Sequence, residues 1–445
     1  MLRSRYGTFV GGIDLPDEKH DTLARPVRAA FVPQRLHVPL AYWAGPEAMP
    51  VVERGRYVSA GDLLAGGEAP GTVDIHAPMA GLVGGLAEAD VAVADGFITV
   101  GAIEMTALEP GEPPPSPAGP MDWQRASAHA LCDRLADGAL TTFTSPVRPL
   151  AEWLREVRAA EVSLLVVNAI EDQPYVSSDH RTLVEHGEDV LFGLVILARA
   201  TGASEMALVV DQRRTDDYAH VLAPAEGHGV QLIALPHKYP SGAEAILLKM
   251  LTGVEVPLGR RAVDVGAAVI DPATALAAAR WVLSGKRTVT RILTLAGQQV
   301  LHPANLSVPL GTPCSELCQV TSVPLTHGGP MSGLQCTAKA VVTPATNAVL
   351  GLAIPTPAAP GPCIRCGWCT DHCPARLNVA ALNDAFELVE LDIARRAGAG
   401  ACVNCGVCSY ICPARLPLTH RVQQLKAAIS GDRRDASLRS PEPTP

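Results

Sequence analysis

Aromatic residues make up only 4% of this 445-residue chain, and its formal net charge of -9 comes with no cluster of lysine and arginine. Few large rings predict thin cores, and the missing basic cluster argues against a nucleic-acid partner, because phosphate binding takes concentrated positive charge. Long apolar runs are also missing. The runs 163–170 and 190–200 fall short of the ~20 residues that a bilayer-spanning helix needs, and the stretch 338–360 is interrupted by Pro344, Pro355, Pro357 and Pro360. No transmembrane helix is expected. Residues 1–20 lack the apolar stretch of a secretory signal, so the chain is expected to stay in the cytoplasm.

What is abundant is Gly (39), Pro (38) and Cys (12). The first two predict many short elements and many turns, and the length predicts three or four domains rather than one core. Twelve cysteines without an export signal point to metal or redox use rather than to disulfides. Eight of them lie in two matching runs. The other four, Cys132, Cys314, Cys318 and Cys336, are expected to be buried as small hydrophobes.

Residues 1–110 read as short β segments punctuated by Gly, Pro and Asp. Within them Val58-Ser-Ala-Gly-Asp62 and His76-Ala-Pro-Met-Ala-Gly81 resemble the turns of a biotinyl or lipoyl barrel-sandwich, without the lysine that such carriers modify. Residues 111–122 form a Pro-rich linker, expected to be extended and semi-rigid. From 123 to 260 strand and helix patterns alternate, with strands at 163–168, 205–211 and 230–235, which predicts a Rossmann-like parallel α/β layer. A small α+β domain is expected over 261–342 and the cysteine-bearing domain over 343–430. In the latter Leu418, Val422, Leu425 and Ile429 form an apolar helical stripe. Residues 431–445, polar and Pro-rich, read as a disordered tail.

The cysteine runs are Cys363-Ile-Arg-Cys366-Gly-Trp-Cys369-Thr-Asp-His-Cys373-Pro374 and Cys402-Val-Asn-Cys405-Gly-Val-Cys408-Ser-Tyr-Ile-Cys412-Pro413. Both follow the C-x2-C-x2-C-x3-C-P spacing of two-cluster ferredoxins, in which the fourth cysteine of each run ligates the other cluster. That rule assigns Cys363, Cys366, Cys369 and Cys412 to one [4Fe–4S] cluster, and Cys402, Cys405, Cys408 and Cys373 to a second. Zinc also accepts four cysteines, but its sites usually pair two C-x2-C units well apart. Gly367 and Gly406 allow the turn around a bulky inorganic core.

Several phrases elsewhere resemble the C subunit of the Rnf complex, an ion-translocating ferredoxin:NAD oxidoreductase of bacterial membranes. They are Gly11-Gly-Ile-Asp-Leu-Pro16, His76-Ala-Pro, Tyr239-Pro-Ser-Gly-Ala-Glu244, Leu251-Thr-Gly-Val-Glu-Val-Pro257, Val308-Pro-Leu-Gly-Thr-Pro313 and Gly328-Gly-Pro-Met-Ser-Gly333. The resemblance covers about residues 5–430. It implies a multidomain α/β and α+β chain: an N-terminal barrel-sandwich, a Rossmann-like domain related to the flavin subunit of respiratory complex I, an SLBB-type β-grasp domain and a C-terminal helical two-cluster ferredoxin domain. It implies a peripheral protein on the cytoplasmic side of the inner membrane, partnered by the other members of the complex and by ferredoxin or NAD(H). FMN and NAD(H) would be its further cofactors, held near Asn168, Glu171 and Glu244. No catalytic residue is assigned.

The match fails at one point. Where the family carries a Gly-x-Gly-Gly-Ala-x-Phe-Pro-Thr loop, whose backbone N–H groups can cradle a phosphate, this chain has Asp137-Gly-Ala-Leu-Thr-Thr-Phe-Thr-Ser-Pro146. Gln173 also replaces a family acid. Two readings stay open: a full member of the family in which NAD(H) reacts at flavin, and an electron relay and scaffold that keeps the clusters and has lost nucleotide chemistry.

Overall fold

A strand buried on both faces of a sheet has to be apolar along most of its length. Leu164-Leu-Val-Val167 and Ala207-Leu-Val-Val210 meet that condition, and both are buried throughout. They lie in a four-stranded parallel sheet of order Val230–Leu235, Glu205–Asp211, Leu164–Asn168, Ala267–Ile270. The computed structural model in which this is seen describes residues 7–28, 31–67, 69–94, 96–117, 119–144, 146–318, 324–353 and 359–438. The chain divides into two units. One is built on Pro16–His237 and Ala262–Ala353, the other on Arg3–Leu15, Lys238–Arg261 and Ile354–Pro445.

In the first unit the N-terminal part is all antiparallel. The long strands Ala80–Val93 and Gly96–Glu109 form a hairpin flanked by Leu36–Pro39 and Tyr57–Val58, beside a three-stranded sheet of Met49–Pro50, Leu63–Gly66 and Ile75–His76. The two turns singled out from the sequence hold each other. Gly61 N–H donates to Ala77 O and Ala77 N–H to Asp62 O, each at 2.8 Å. Gly61 takes a φ of +87° there, which favours glycine.

The expected linker is only partly a free spacer. Ser116 N–H donates to Gly285 O and Met121 N–H to Val282 O, both at 2.8 Å, which ties it to the end of the helix Pro272–Ser284. That helix and the strand Ala267–Ile270 correct the expected boundary at 260, because both complete the α/β layer. A four-residue strand and an alanine-rich helix carry little periodic signal, and only the sheet partner Leu164–Asn168 assigns them. The helix packs on Ser178–Thr201 so closely that a side chain at Gly193 would meet Ala275 O at 1.9 Å. A 3-10 turn, Gln212–Tyr218, leads into the helix Ala219–Gly227.

The rest of this unit is a five-stranded mixed sheet ordered Ala304–Pro309, Thr290–Ala296, Ala348–Gly351, Leu325–His327, Leu334–Gln335. Ala348–Gly351 pairs in parallel with Thr290–Ala296, so the sheet runs past the expected limit at 342. Cys314 and Cys318 are buried in its core, as expected, whereas Cys132 and Cys336 are half-buried.

The second unit is mainly helical. Its core gathers Leu377, Val379, Leu382 and Leu416 with the predicted stripe Leu418, Val422, Leu425 and Ile429. The last helix runs Leu418–Leu438, so the tail expected from 431 is helical up to Leu438, and 439–445 lie outside the described residues. A single glycine costs a helix only about 1 kcal/mol, and Arg433, Arg434, Ala436 and Leu438 are good helix formers. Among the described residues no helix is long and apolar enough to cross a membrane.

Candidate functional site

The second cysteine run repeats the first 39 residues on (402 − 363 = 39), and the backbone repeats with it. Arg365 and Asn404 take φ of +59° and +55°, Gly367 and Gly406 +81° and +79°, and Arg376 and Arg415 +58° and +55°. Each glycine opens a one-turn helix, Trp368–Asp371 or Val407–Tyr410, that carries the third cysteine. The four non-glycine residues each accept a left-handed conformation that costs ~1–2 kcal/mol. Arginine gives no sequence signal for such a turn, and sequence reasoning missed these positions.

The chain then folds so that the two runs share two cavities. One is lined by Cys363, Cys366, Cys369 and Cys412, the other by Cys402, Cys405, Cys408 and Cys373. Among the described residues no three His, Cys, Asp or Glu side chains converge closely enough to hold a single metal ion. Four thiols around one cavity are a donor set that fits a four-iron cubane, which takes one cysteine at each corner.

Burial dominates the thiols' ionisation. It pushes Cys369 and Cys402 above the usual range, Cys408 to about 11 and Cys405 to about 12. Iron binds the thiolate, so loading these sites releases protons. Donors wait at the sulfurs: Leu377 N–H at 3.4 Å from Cys373 Sγ, Asn404 N–H at 3.4 Å from Cys402 Sγ and the Thr419 hydroxyl at 3.4 Å from Cys408 Sγ. Ser409 fixes that threonine, its hydroxyl donating to Thr419 Oγ1 at 2.9 Å and accepting from Thr419 N–H at 2.8 Å. Behind the loops, Lys426 Nζ donates to Cys402 O at 2.9 Å and Gly12 N–H to His372 O at 2.8 Å. Gly11, at φ +76°, has no room for a side chain, since a Cβ would stand 2.7 Å from Cys373 O.

The nucleotide candidates fare differently. Asn168 ends its strand, and its Oδ1 accepts from Ile170 N–H at 3.1 Å. Glu171 caps the helix Ser178–Thr201, its two oxygens accepting from Asp179 N–H at 2.9 Å and His180 N–H at 2.8 Å. Its backbone carbonyl receives Lys19, a buried lysine from the N-terminal stretch whose ammonium also lies 3.9 Å from Asp17. Burial lowers the Lys19 pKa. Sequence reasoning missed Lys19, because over 150 positions separate it from Glu171. Glu244 opens the helix Glu244–Thr252 in the second unit. Gln173 bridges to the glycine-rich loop 328–333, accepting from Met331 N–H at 3.1 Å and donating to Ser332 Oγ at 2.8 Å.

The loop that departs from the family pattern is closed on itself. Leu140, Thr141, Thr142 and Phe143 are all buried. Thr142 N–H donates to Arg148 O at 2.9 Å and Phe143 N–H to Thr274 Oγ1 at 2.9 Å, while Leu140 O accepts from Leu150 N–H at 2.8 Å. Gly138 sits where a Cβ would be 2.8 Å from the Trp281 ring, so packing alone accounts for this glycine.

Three family models match the chain: the RnfC barrel sandwich hybrid domain over residues 7–106, the Nuo51 FMN-binding domain over 148–280 and a 4Fe-4S dicluster domain over 358–413. The FMN-binding match begins beyond the closed loop. The chain is 30% identical over 395 residues to the C subunit of the ion-translocating oxidoreductase complex of Edwardsiella ictaluri, covering 85% of this chain and 48% of that protein. It is 32% identical over 432 residues to the protein of the same name from Rhodobacter capsulatus, covering 94% and 83%. Against the C subunit of the proton-translocating ferredoxin:NAD(+) oxidoreductase complex of Clostridium ljungdahlii it is 27% identical over 396 residues, covering 86% and 84%. The chain thus spans about half the length of the Edwardsiella protein and most of the other two.

Proposed function

The chain belongs to the C subunits of ion-translocating oxidoreductase complexes, and we propose that within such a complex it is the peripheral electron-transfer protein, holding two [4Fe–4S] clusters by crossed ligation. The observation that carries this reading is the pair of cavities, each lined by three cysteines of one run and the last cysteine of the other. Bound there, the clusters would supply one-electron redox chemistry. The chain's own residues do the holding: αL turns at Arg365, Gly367, Asn404 and Gly406 present the thiols, and the apolar core around Leu382 and Leu425 packs against Cys363, Cys369, Cys373, Cys402, Cys408 and Cys412, while Cys366 is exposed. We assign the parallel α/β layer to the Rossmann-like class and the five-stranded sheet to the SLBB-type β-grasp. The partners are the other members of the complex, on the cytoplasmic side of the membrane.

A second reading, the relay that has lost FMN and NAD(H), is favoured by one observation. The loop positions that would cradle a phosphate spend their N–H groups on Arg148 O and Thr274 Oγ1. Anaerobic purification with iron, acid-labile sulfide and flavin counted per chain tests both proposals. Eight irons, eight sulfides and no flavin are expected, whereas about two zinc ions with little sulfide would end the cluster proposal.

A further inference from the structure

Away from the cysteines, the first unit contains a cavity of about 450 Å³ between the helices Ser178–Thr201 and Pro272–Ser284 and the edge of the five-stranded sheet. That is within the range of small-molecule sites, roughly 300–1,000 Å³. Four cationic side chains reach its wall: Arg280, Lys286, Arg287 and Arg291. Its two carboxylates are already engaged. Glu112 pairs with Lys286 at 3.0 Å, and Glu185 pairs with Arg181 and accepts from Val27 N–H at 2.8 Å.

The deepest cation is Arg291, only 2% exposed. Its Nε donates to Thr346 O at 3.3 Å, its Nη2 lies 3.5 Å from Asp179 Oδ1, and its guanidinium carbon stands 5.4 Å from the centre of the Phe143 ring. Its Nη1 is buried and has no hydrogen-bond partner, and neither has the nearby Thr288 Oγ1. Buried donors without acceptors are costly, about 1–3 kcal/mol each and more when charged. Burial, opposed by Arg291 and reinforced by Glu171 and Asp271, pushes the Asp179 carboxyl up. The remaining wall is apolar, with Phe31, Met79, Leu276, Val289 and Ile292.

We propose that this cavity binds a soluble amphipathic anion, a phosphate or carboxylate head received by Arg291 Nη1 and Thr288 Oγ1 with its apolar body against Phe31, Met79 and Leu276. The proposal does not depend on the cluster reading. Flavin held by the family's loop is a different arrangement, in which the N–H groups of Thr142 and Phe143 would have to be free, and here both are spent.

The test is isothermal titration of the full-length, cluster-loaded chain with octyl phosphate below its micellar concentration, with 1-octanol and inorganic phosphate as half-probes. One octyl phosphate per chain is expected, with both half-probes at least tenfold weaker. Arg291→Gln should weaken binding at least tenfold and Thr288→Val several-fold. Because Arg291 is buried and its variant can misfold, Arg280→Gln at the partly exposed wall is the second variant. It too should weaken binding, with iron and sulfide content unchanged. Octanol binding as tightly as octyl phosphate, or undiminished binding in both arginine variants, would overturn the proposal. So would FMN displacing the probe with higher affinity, because the cavity would then be a flavin pocket.

Discussion

The phenol of Tyr239 donates to the backbone carbonyl of Cys405 at 2.6 Å, which joins two segments of one unit that are 166 residues apart. Tyr239 is itself held by a reciprocal pair of backbone bonds with Ile13, at 2.9 and 3.0 Å. The tyrosine therefore steadies the loop that carries Cys402, Cys405 and Cys408 from outside the cysteine motif. Removing the hydroxyl forfeits a net ~0.5–1.5 kcal/mol. Tyr239→Phe is expected to lose the cluster of that loop a few-fold faster under an iron chelator, with the other cluster unchanged. Low-temperature paramagnetic resonance during the decay measures this, and equal decay of both clusters would remove the proposed role.

Crossed ligation makes a sharper demand. Cys412→Ser is expected to damage the cluster shared with Cys363, Cys366 and Cys369, although Cys412 belongs to the other run in sequence. Loss confined to the Cys402–Cys408 cluster in the same spectroscopy would show that each run serves its own cluster.

The closed loop bears on flavin. Each backbone contact to a charged group is worth ~1.5–3 kcal/mol, so losing the two N–H groups of Thr142 and Phe143 should weaken FMN by roughly two to four orders of magnitude. Titration with FMN should give an affinity weaker than micromolar, and NADH should not reduce an artificial acceptor at an appreciable rate. Submicromolar FMN binding with rapid NADH oxidation would restore the catalytic reading.

Acid should destabilise the five-stranded sheet through His327. Its ring is buried, with Nε2 2.7 Å from Thr346 Oγ1, and burial lowers its pKa to about 4. A histidine whose folded pKa is depressed contributes fully above its unfolded value near 6.5, and that contribution is lost as pH falls toward 4. Between about pH 7 and pH 5 the loss is about 2 kcal/mol. His327→Gln should lose correspondingly less stability over that interval, as read by thermal unfolding at the two pH values. Parallel losses in the two proteins would refute the assignment.

Much of the molecule was legible locally. The strands Glu205–Asp211 and Val230–Leu235 fall where apolar runs bounded by turn residues put them; in the first, burial on both faces leaves a continuous hydrophobic signature, and in the second, an edge strand, Gln231 and Ala234 are exposed. The stripe Leu418, Val422, Leu425, Ile429 declares one face of a helix by spacing alone, and all four residues are buried. Cysteine spacing within each run is local too, since one tight loop must present three thiols at once.

What spacing cannot carry is a contact whose partners lie far apart in sequence. Ala267–Ile270 is too short to show a period, and it is a strand of the parallel sheet only because Leu164–Asn168 lies beside it. The sequence showed that the loop keeps only Gly138 of its glycines, but only the fold put Thr274 Oγ1 where Phe143 N–H is spent, 131 residues away. Glu171 looked like a ligand contact until the N-terminus of the helix Ser178–Thr201 claimed both its oxygens. Periodicity and turn chemistry act over a few residues and are written in the sequence, whereas hydrogen bonds and cavities join whichever groups the packed core brings within about 3 Å.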